Sequence, residues 1–165
     1  MTTAVYAGSF DPPTLGHLDV IQRATKCFDT LVIGIGVNSA KKTLFTYDER
    51  AEMLRTACRT LPGRISEVAR FDGLLVDFCK KLGAGVIIRG LRAVTDFEYE
   101  LGIAHANSSQ APEVYTFFLP TKPEFSFVSS SVVRELAKHG GKLDHYVPKN
   151  VEEALRKKFP PPQVV

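Results

Sequence analysis

The sequence predicts an α/β fold: one domain on a doubly wound, five-stranded parallel sheet with helices on both faces. Three observations carry this. Strand-like and helix-like segments alternate along the chain, which is the signature of strand–helix–strand crossovers. Some strand segments are apolar at every position, as strands buried on both faces must be. The 165 residues suit one core, not two.

The elements follow in order. Residues 2–7 are apolar and β-branched and stop at Gly8, giving the first strand. Residues 16–28 place Leu18, Ile21, Ala24, Cys27 and Phe28 at helical spacing. Residues 31–37 (LVIGIGV) form a second strand, and 38–45 a loop. Thr46 and Glu49 make a capping box for a helix that runs to about Leu61, before Pro62-Gly63. Residues 65–71 are a third strand, and 74–82 a third helix ended by Gly83. A short buried strand at 86–88 runs into Arg89-Gly90. A helix at 96–108 begins on Asp96, and VYTFFL at 114–119 is the fifth strand. A helix at 130–139 closes on Gly140-Gly141. Asn150 caps the last helix, with Glu153 at its third position, and Pro160 ends it. The arrangement is Rossmann-like and takes in residues 1–165 as one unit, with about 160–165 a frayed tail. Ligands of such sheets bind beyond the carboxyl ends of the strands, where the strand order switches.

Composition narrows the function classes. With 44% hydrophobic and 24% charged residues the chain is globular. A net charge of +3 is too weak for a nucleic-acid partner. No run of about 18 apolar residues implies a membrane span, and the start MTTAVYAGSF lacks the pattern of a signal peptide. Cys27, Cys58 and Cys79 are odd in number and form no C-x-x-C pair. They read as reduced thiols on core helices of a cytoplasmic protein.

Four segments carry chemistry. Residues 8–17 read GSFDPPTLGH, joining the first strand to the first helix. A helix start offers free N–H donors and partial positive charge to phosphate. The loop is neither G-x-G-x-x-G nor G-x-x-x-x-G-K-[ST], so the phosphate chemistry needs further groups. His17 lies in the first helical turn, where protonation is disfavoured and a bound triphosphate can accept its hydrogen bond. A lone histidine there is more often a cap or surface group; its neighbours decide. Residues 89–100 read RGLRAVTDFEYE. Arg89 and Arg92, read as leaving the end of the fourth strand, can clamp phosphates bidentately. Asp96 suits a helix start, and Glu98 a solvated face. Residues 125–135 read FSFVSSSVVRE, with Ser129, Ser130 and Ser131 before a helix that needs only one as cap. Lys41 and Lys42 lie in NSAKKTLFT, a loop where lysines are usually solvated.

Together these segments resemble a known family. Thr14-Leu15-Gly16-His17 matches the [HT]-x-G-H mark of the nucleotidyltransferase superfamily. Threonine in its first position after GSFDP, RGLR through FEYE, and FSFVSSS are similar to the bacterial phosphopantetheine adenylyltransferases. The resemblance runs from Gly8 to about Glu135. Val128 stands where isoleucine is usual, Phe125 where some members carry tryptophan, and Ser9 where many carry threonine.

The resemblance implies adenylyl transfer from ATP to 4′-phosphopantetheine, giving dephospho-coenzyme A and pyrophosphate by direct in-line attack, in coenzyme A biosynthesis. It implies catalytic roles for His17, Lys41 and Arg92, with His17 stabilising the transition state. ATP would meet Ser9, Phe10 (through its backbone), His17, Gly90, Leu91, Arg92, Glu100, Phe125, Ser126, Phe127, Val128, Ser129, Ser130 and Ser131. The acceptor would meet Ser9, Lys41, Leu75, Arg89 and Asn107, with Lys42 the rival for Lys41. Mg²⁺ is expected to be held mainly by the ATP phosphates. A homohexamer and feedback binding of coenzyme A are implied too. The rival enzymes are a nicotinamide mononucleotide adenylyltransferase and a cytidylyltransferase. A fragment of a class I aminoacyl-tRNA synthetase would need tRNA-binding domains for which the chain is too short. The rival outside enzymes is a nucleotide-binding regulatory module.

Overall fold

The computed structural model describes residues 1–37, 42–61 and 63–160. Its strands are β1 (Thr3–Gly8), β2 (Thr30–Gly36), β3 (Ile65–Phe71), β4 (Val86–Leu91) and β5 (Tyr115–Pro120). Its helices are α1 (Leu15–Cys27), α2 (Tyr47–Cys58), α3 (Leu75–Lys81), α4 (Val94–Gln110), α5 (Ser130–Lys138) and α6 (Lys149–Lys158), with one 3₁₀ turn at Pro123–Phe125. The strands pair in the order β3-β2-β1-β4-β5, all in parallel. The chain thus walks outward from β1 to β3, then crosses back and sets β4 on the free side of β1. The switch point lies between β1 and β4, where Tyr6 pairs with Ile88.

Alternation along the central strands splits the core in two. Ala4, Tyr6, Leu31, Ile33, Ile35 and Ile88 pack with Val20, Ile21 and Ala24 of α1 and Ala51 and Leu54 of α2. Val5, Ala7, Val32 and Ile87 face the other way, onto Val76 and Cys79 of α3. A third cluster joins Phe45 and Met53 to Val133 and Ala137 of α5 and Val151 and Leu155 of α6. The edge is different. None of the 17 residues of α4 is buried, and Val94, Tyr99, Tyr115 and Phe117 are exposed.

All five strands and six helices match the expected order, and several boundaries move for identifiable reasons. β4 continues through Leu91, so Arg89 lies inside the strand, because β5 pairs with it to the end. α4 starts at Val94 after Ala93, with no side-chain cap; Asp96 is its third residue and turns back to Arg92. Asn150 does not cap α6. Pro148 precedes the helix, and Asn150 Nδ2 donates to the Met53 carbonyl at 3.1 Å, fastening α6 to α2. Thr14 caps α1, which therefore opens one residue earlier than expected. Cys58 and Cys79 are partly or fully buried, with thiols that burial pushes up to about 11. Cys27, however, faces outward. Lys41, Pro62 and residues 161–165 of the expected frayed tail lie outside the described residues.

Candidate active site at the sheet switch point

The carboxyl ends of β1 and β4 open into a cavity of about 350 Å³. Its first wall is the β1–α1 junction. Gly8 ends the strand, and a Cβ there would sit 3.1 Å from the Phe10 ring. Phe10 itself has φ +48°, a region costly for a residue with a side chain. The strain is held by burial: Phe10 is 1% exposed, its ring edge-on to His17 at 5.0 Å and to Tyr6 at 5.4 Å.

Thr14 and His17 form a reciprocal cap. The His17 N–H donates to Thr14 Oγ1 at 3.3 Å, and the Thr14 N–H donates to His17 Nδ1 at 3.0 Å. A backbone N–H is always a donor, so Nδ1 must accept, and the neutral ring carries its proton on Nε2. The Thr14 hydroxyl lies 3.0 Å from the same Nδ1. Burial, then the nearby charges of Arg92 and Arg89, lower the His17 pKa to about 4. The ring is therefore a neutral N–H donor at pH 7.

The second wall is the β4–α4 junction. Arg89 donates from Nε and Nη2 to the Glu100 carboxylate at 2.5 and 2.6 Å, and from Nη1 to the Ala7 carbonyl at 2.8 Å. Burial works against its charge, yet Glu100 overcomes that and holds the Arg89 pKa above its ordinary value. Arg92 makes the matching fork to Asp96, both bonds at 2.9 Å. Burial raises the Asp96 carboxyl, but hydrogen bonds from Arg92 outweigh it and hold the pKa low. Gly90 lies between them; a Cβ there would meet Val20 at 3.1 Å.

The third wall is the start of α5. Ser129 caps the helix, accepting from the Val132 N–H at 3.1 Å. Ser130 Oγ donates to the Pro12 carbonyl at 2.8 Å, and Ser131 Oγ accepts from Arg134. One serine is thus the cap, another ties α5 to the β1–α1 loop, and all three line the cavity.

The cavity brings together Ser9, His17, Arg89, Gly90, Arg92, Glu100, Val128, Ser129, Ser130 and Ser131. Other expected contacts fall outside it. Phe10 lies beneath His17 and shapes the wall by packing. Leu91, the last residue of β4, and Ser126, just past the 3₁₀ turn, do not line it. Phe125 and Phe127 face a separate cleft with Leu15 and His145, where the Phe127 ring meets Tyr146. Leu75 packs into the α3 side of the core, as an apolar residue within a helix tends to do. Asn107 lies near the end of α4, its carbonyl closing the helix by accepting from the Ala111 N–H. Lys41 is not among the described residues, and Lys42 is exposed.

Sequence reasoning missed Tyr6 and Arg134, both of which line the cavity. Tyr6 carries a hydroxyl in the buried middle of β1, and burial pushes its phenol pKa up. Arg134 sits one turn into α5, close enough to reach back over the serines. Beside the cavity, Ser9 also borders a groove of about 280 Å³ with Gly36, Val37, Thr43, Arg50 and Phe71.

Comparisons with known proteins bear on the family and the fold. A family model described as cytidylyltransferase-like matches residues 5–136. A phosphopantetheine adenylyltransferase of Lachnoclostridium phytofermentans is 49% identical over 159 residues, covering 96% of each chain. One from Carboxydothermus hydrogenoformans is 51% identical over 159 residues, covering 96% of this chain and 97% of the relative. A crystal structure from Vibrio parahaemolyticus, assigned as a nicotinate-nucleotide adenylyltransferase, superposes with a TM-score of 0.69. It is 19% identical, over 96% of this chain and 95% of that one, and so bears on the fold alone.

Proposed function

Because the chain belongs to the phosphopantetheine adenylyltransferase family, within the cytidylyltransferase-like proteins, we propose that it transfers the adenylyl group of ATP to 4′-phosphopantetheine. The products are dephospho-coenzyme A and pyrophosphate, a step of coenzyme A biosynthesis. The observation that carries this reading is the fixed Nε2–H of His17, in one cavity with Arg89, Arg92 and three serine hydroxyls.

The reaction is an in-line displacement. An acceptor phosphate oxygen forms a bond to the α-phosphorus as the bond to the bridging oxygen breaks and pyrophosphate leaves. Phosphate is already anionic at pH 7, so neither a base nor a covalent enzyme intermediate is needed. Catalysis is positioning and charge stabilisation. His17 donates from Nε2 to an α-phosphoryl oxygen, and being neutral it loses no proton. Arg92 and the start of α5, with Ser129–Ser131, take the triphosphate. Gly90 lets β4 pack closely against Val20 of α1 on the cavity wall, and Glu100 holds Arg89 in place at the edge of the ATP site. Ser9, Arg89 and Lys41 take the acceptor phosphate, with Ser9 shared between cavity and groove. The remaining binding roles implied for Leu75, Asn107 and the 125–127 segment belong to the same proposal.

Both carboxylates lining the cavity, Asp96 and Glu100, are already forked to arginines. The described residues hold no group of three or more metal-ligating side chains. The donor set does not fit a protein-held cation. Mg²⁺ is proposed to arrive with the ATP phosphates, and no protein ligand is assigned to it.

The same reading includes a cytoplasmic homohexamer with coenzyme A as feedback ligand. The unburied α4 and the exposed Tyr115 and Phe117 of β5 support self-association. Coenzyme A is the product carrying one further phosphate, which supports its entry into the same cavity. Among the described residues no helix is long and apolar enough to cross a membrane.

The test is pyrophosphate release from ATP and Mg²⁺, with 4′-phosphopantetheine or nicotinamide mononucleotide as acceptor. Release with phosphopantetheine alone is expected. Release only with the mononucleotide would overturn the acceptor, and silence with both would overturn the enzyme reading.

A further inference from the structure

Two buried charges beside the cavity have no place in the chemistry above. Asp11 is 5% exposed and Arg50 is 3% exposed. Asp11 accepts from two successive backbone N–H groups of the β2–α2 loop: Leu44 at 2.8 Å on Oδ2 and Phe45 at 2.9 Å on Oδ1. Arg50, one turn into α2, donates from Nη1 to the Ser9 carbonyl at 2.6 Å and from Nε to the Thr46 carbonyl at 3.3 Å. The carboxylate holds the loop's amides and the guanidinium holds its next carbonyl. Both are anchored in the β1–α1 segment, at Ser9 and Asp11. Arg134 of α5 also donates to the Asp11 carbonyl, so three elements meet at this residue.

Arg50 has no carboxylate partner among the described residues. A buried guanidinium satisfied only by carbonyls keeps an uncompensated charge, which is costly to retain. An incoming phosphate would supply the missing counter-charge. Arg50 lines the groove that reaches the cavity through Ser9, with Thr43 on the same wall. The segment it steadies directly follows Lys41 and Lys42.

We propose that Asp11 and Arg50 are positioning residues, a buried latch that fixes the β2–α2 loop against Ser9 and so sets affinity for the phosphorylated acceptor. The latch rests on the acceptor reading above. Its side-chain bonds go to the β2–α2 loop and to the backbone of Ser9, on the acceptor groove, so its loss should fall mainly on the acceptor.

The experiment varies ATP and 4′-phosphopantetheine separately in Asp11→Asn, Arg50→Gln and Arg50→Lys proteins. Amide hydrogen exchange of the 42–46 segment is followed in parallel. Asparagine replaces one of the two accepting oxygens with an NH2 donor, which then faces a backbone N–H of the loop. A misplaced loop should raise acceptor KM about tenfold in Asp11→Asn and Arg50→Gln, with ATP KM within about twofold. Arg50→Lys, keeping the charge, should recover part of the loss. Exchange should quicken at 42–46 ahead of the core strands. Equal rises in both KM values, or quickened exchange with unchanged acceptor KM, would overturn the latch. If one variant does not fold, the other two decide. Failure of the wild type to release pyrophosphate sinks the functional reading instead, while unchanged exchange in Asp11→Asn sinks the latch whatever the acceptor.

Discussion

The β1–α1 and β4–α4 junctions face one another across the cavity and are held by different means. The first is built from burial and backbone. Phe10, Asp11 and Thr14 are each at most 5% exposed, and the helix start is closed by a reciprocal cap. The second is built from charge. α4 has no side-chain cap and no buried residue; the Arg89–Glu100 fork pins it to β4, and the Arg92–Asp96 fork braces the turn that leads into it. The difference separates two tasks. Neutral His17 needs a fixed orientation and a fixed tautomer, which packing provides. Arg89 and Arg92 must meet two polyanions. Guanidiniums already in a fork are held ready, and their remaining N–H groups are free to take phosphate.

The sharpest way to break the comparison is to remove the donor that the first junction positions. His17→Ala should lower kcat by roughly a hundred- to a thousand-fold, about 2.7–4 kcal/mol of barrier, with a much smaller change in ATP affinity. An interaction gained mainly in the transition state has that signature. Pyrophosphate release under saturating substrates measures it. Near-full turnover would remove His17 from the mechanism and leave the first junction as scaffold only.

Burial of a neutral histidine also leaves a mark on stability. In the unfolded chain the imidazole takes up a proton near pH 6.5; in the folded protein it resists until about 4. Between these values the unfolded state binds more protons. Stability is therefore lost as the pH falls from about 6.5 to 4, and this contribution is level outside that window. The shift corresponds to at most roughly 3 kcal/mol. Urea unfolding of the wild type and His17→Gln at pH 4 and pH 7 isolates it. The variant should lose less stability over that interval, and parallel curves would show that His17 is not held neutral.

How far the sequence foretold these two junctions follows from how each is held. The β1–α1 junction was legible because its signals are local. A buried strand, a terminal glycine and a histidine in the first turn all fall within the first seventeen residues. The β4–α4 junction was legible in composition but not in register. Arg89 looked like a residue leaving the strand, since an arginine inside a central strand runs against expectation. Only pairing with β5 and a carboxylate 11 residues away let it stay. Asn150 looked like a cap, and its tertiary bond to Met53 could not be seen in the local pattern. Phe125 and Phe127 are named by the family resemblance alone, and no local pattern says that their rings line a neighbouring cleft with Leu15 and His145. Tyr6 was hidden because the β pattern records its ring and not its hydroxyl. Residues joined through space, such as Asp11 with Leu44 and Phe45, leave no spacing to read.

The smallest effect sharpens the comparison most directly, because it sets one variant from each junction under the same two conditions. Thr14→Ala removes a helix cap, which costs about 1 kcal/mol and depends on short hydrogen bonds. Asp96→Asn removes a carboxylate from a fork whose side chains are 37% and 24% exposed. Pairs of that exposure contribute at most about 1 kcal/mol and are screened by salt. Unfolding free energies in about 0.05 M and about 1 M sodium chloride should therefore diverge. The Thr14→Ala deficit persists at both, while the Asp96→Asn deficit shrinks toward zero at the higher. An Asp96→Asn loss that survives high salt would mean that the carboxylate acts through its bond to the Arg92 N–H at 3.1 Å. The two junctions would then be held by the same kind of force, and the readiness of Arg92 for phosphate would need another origin.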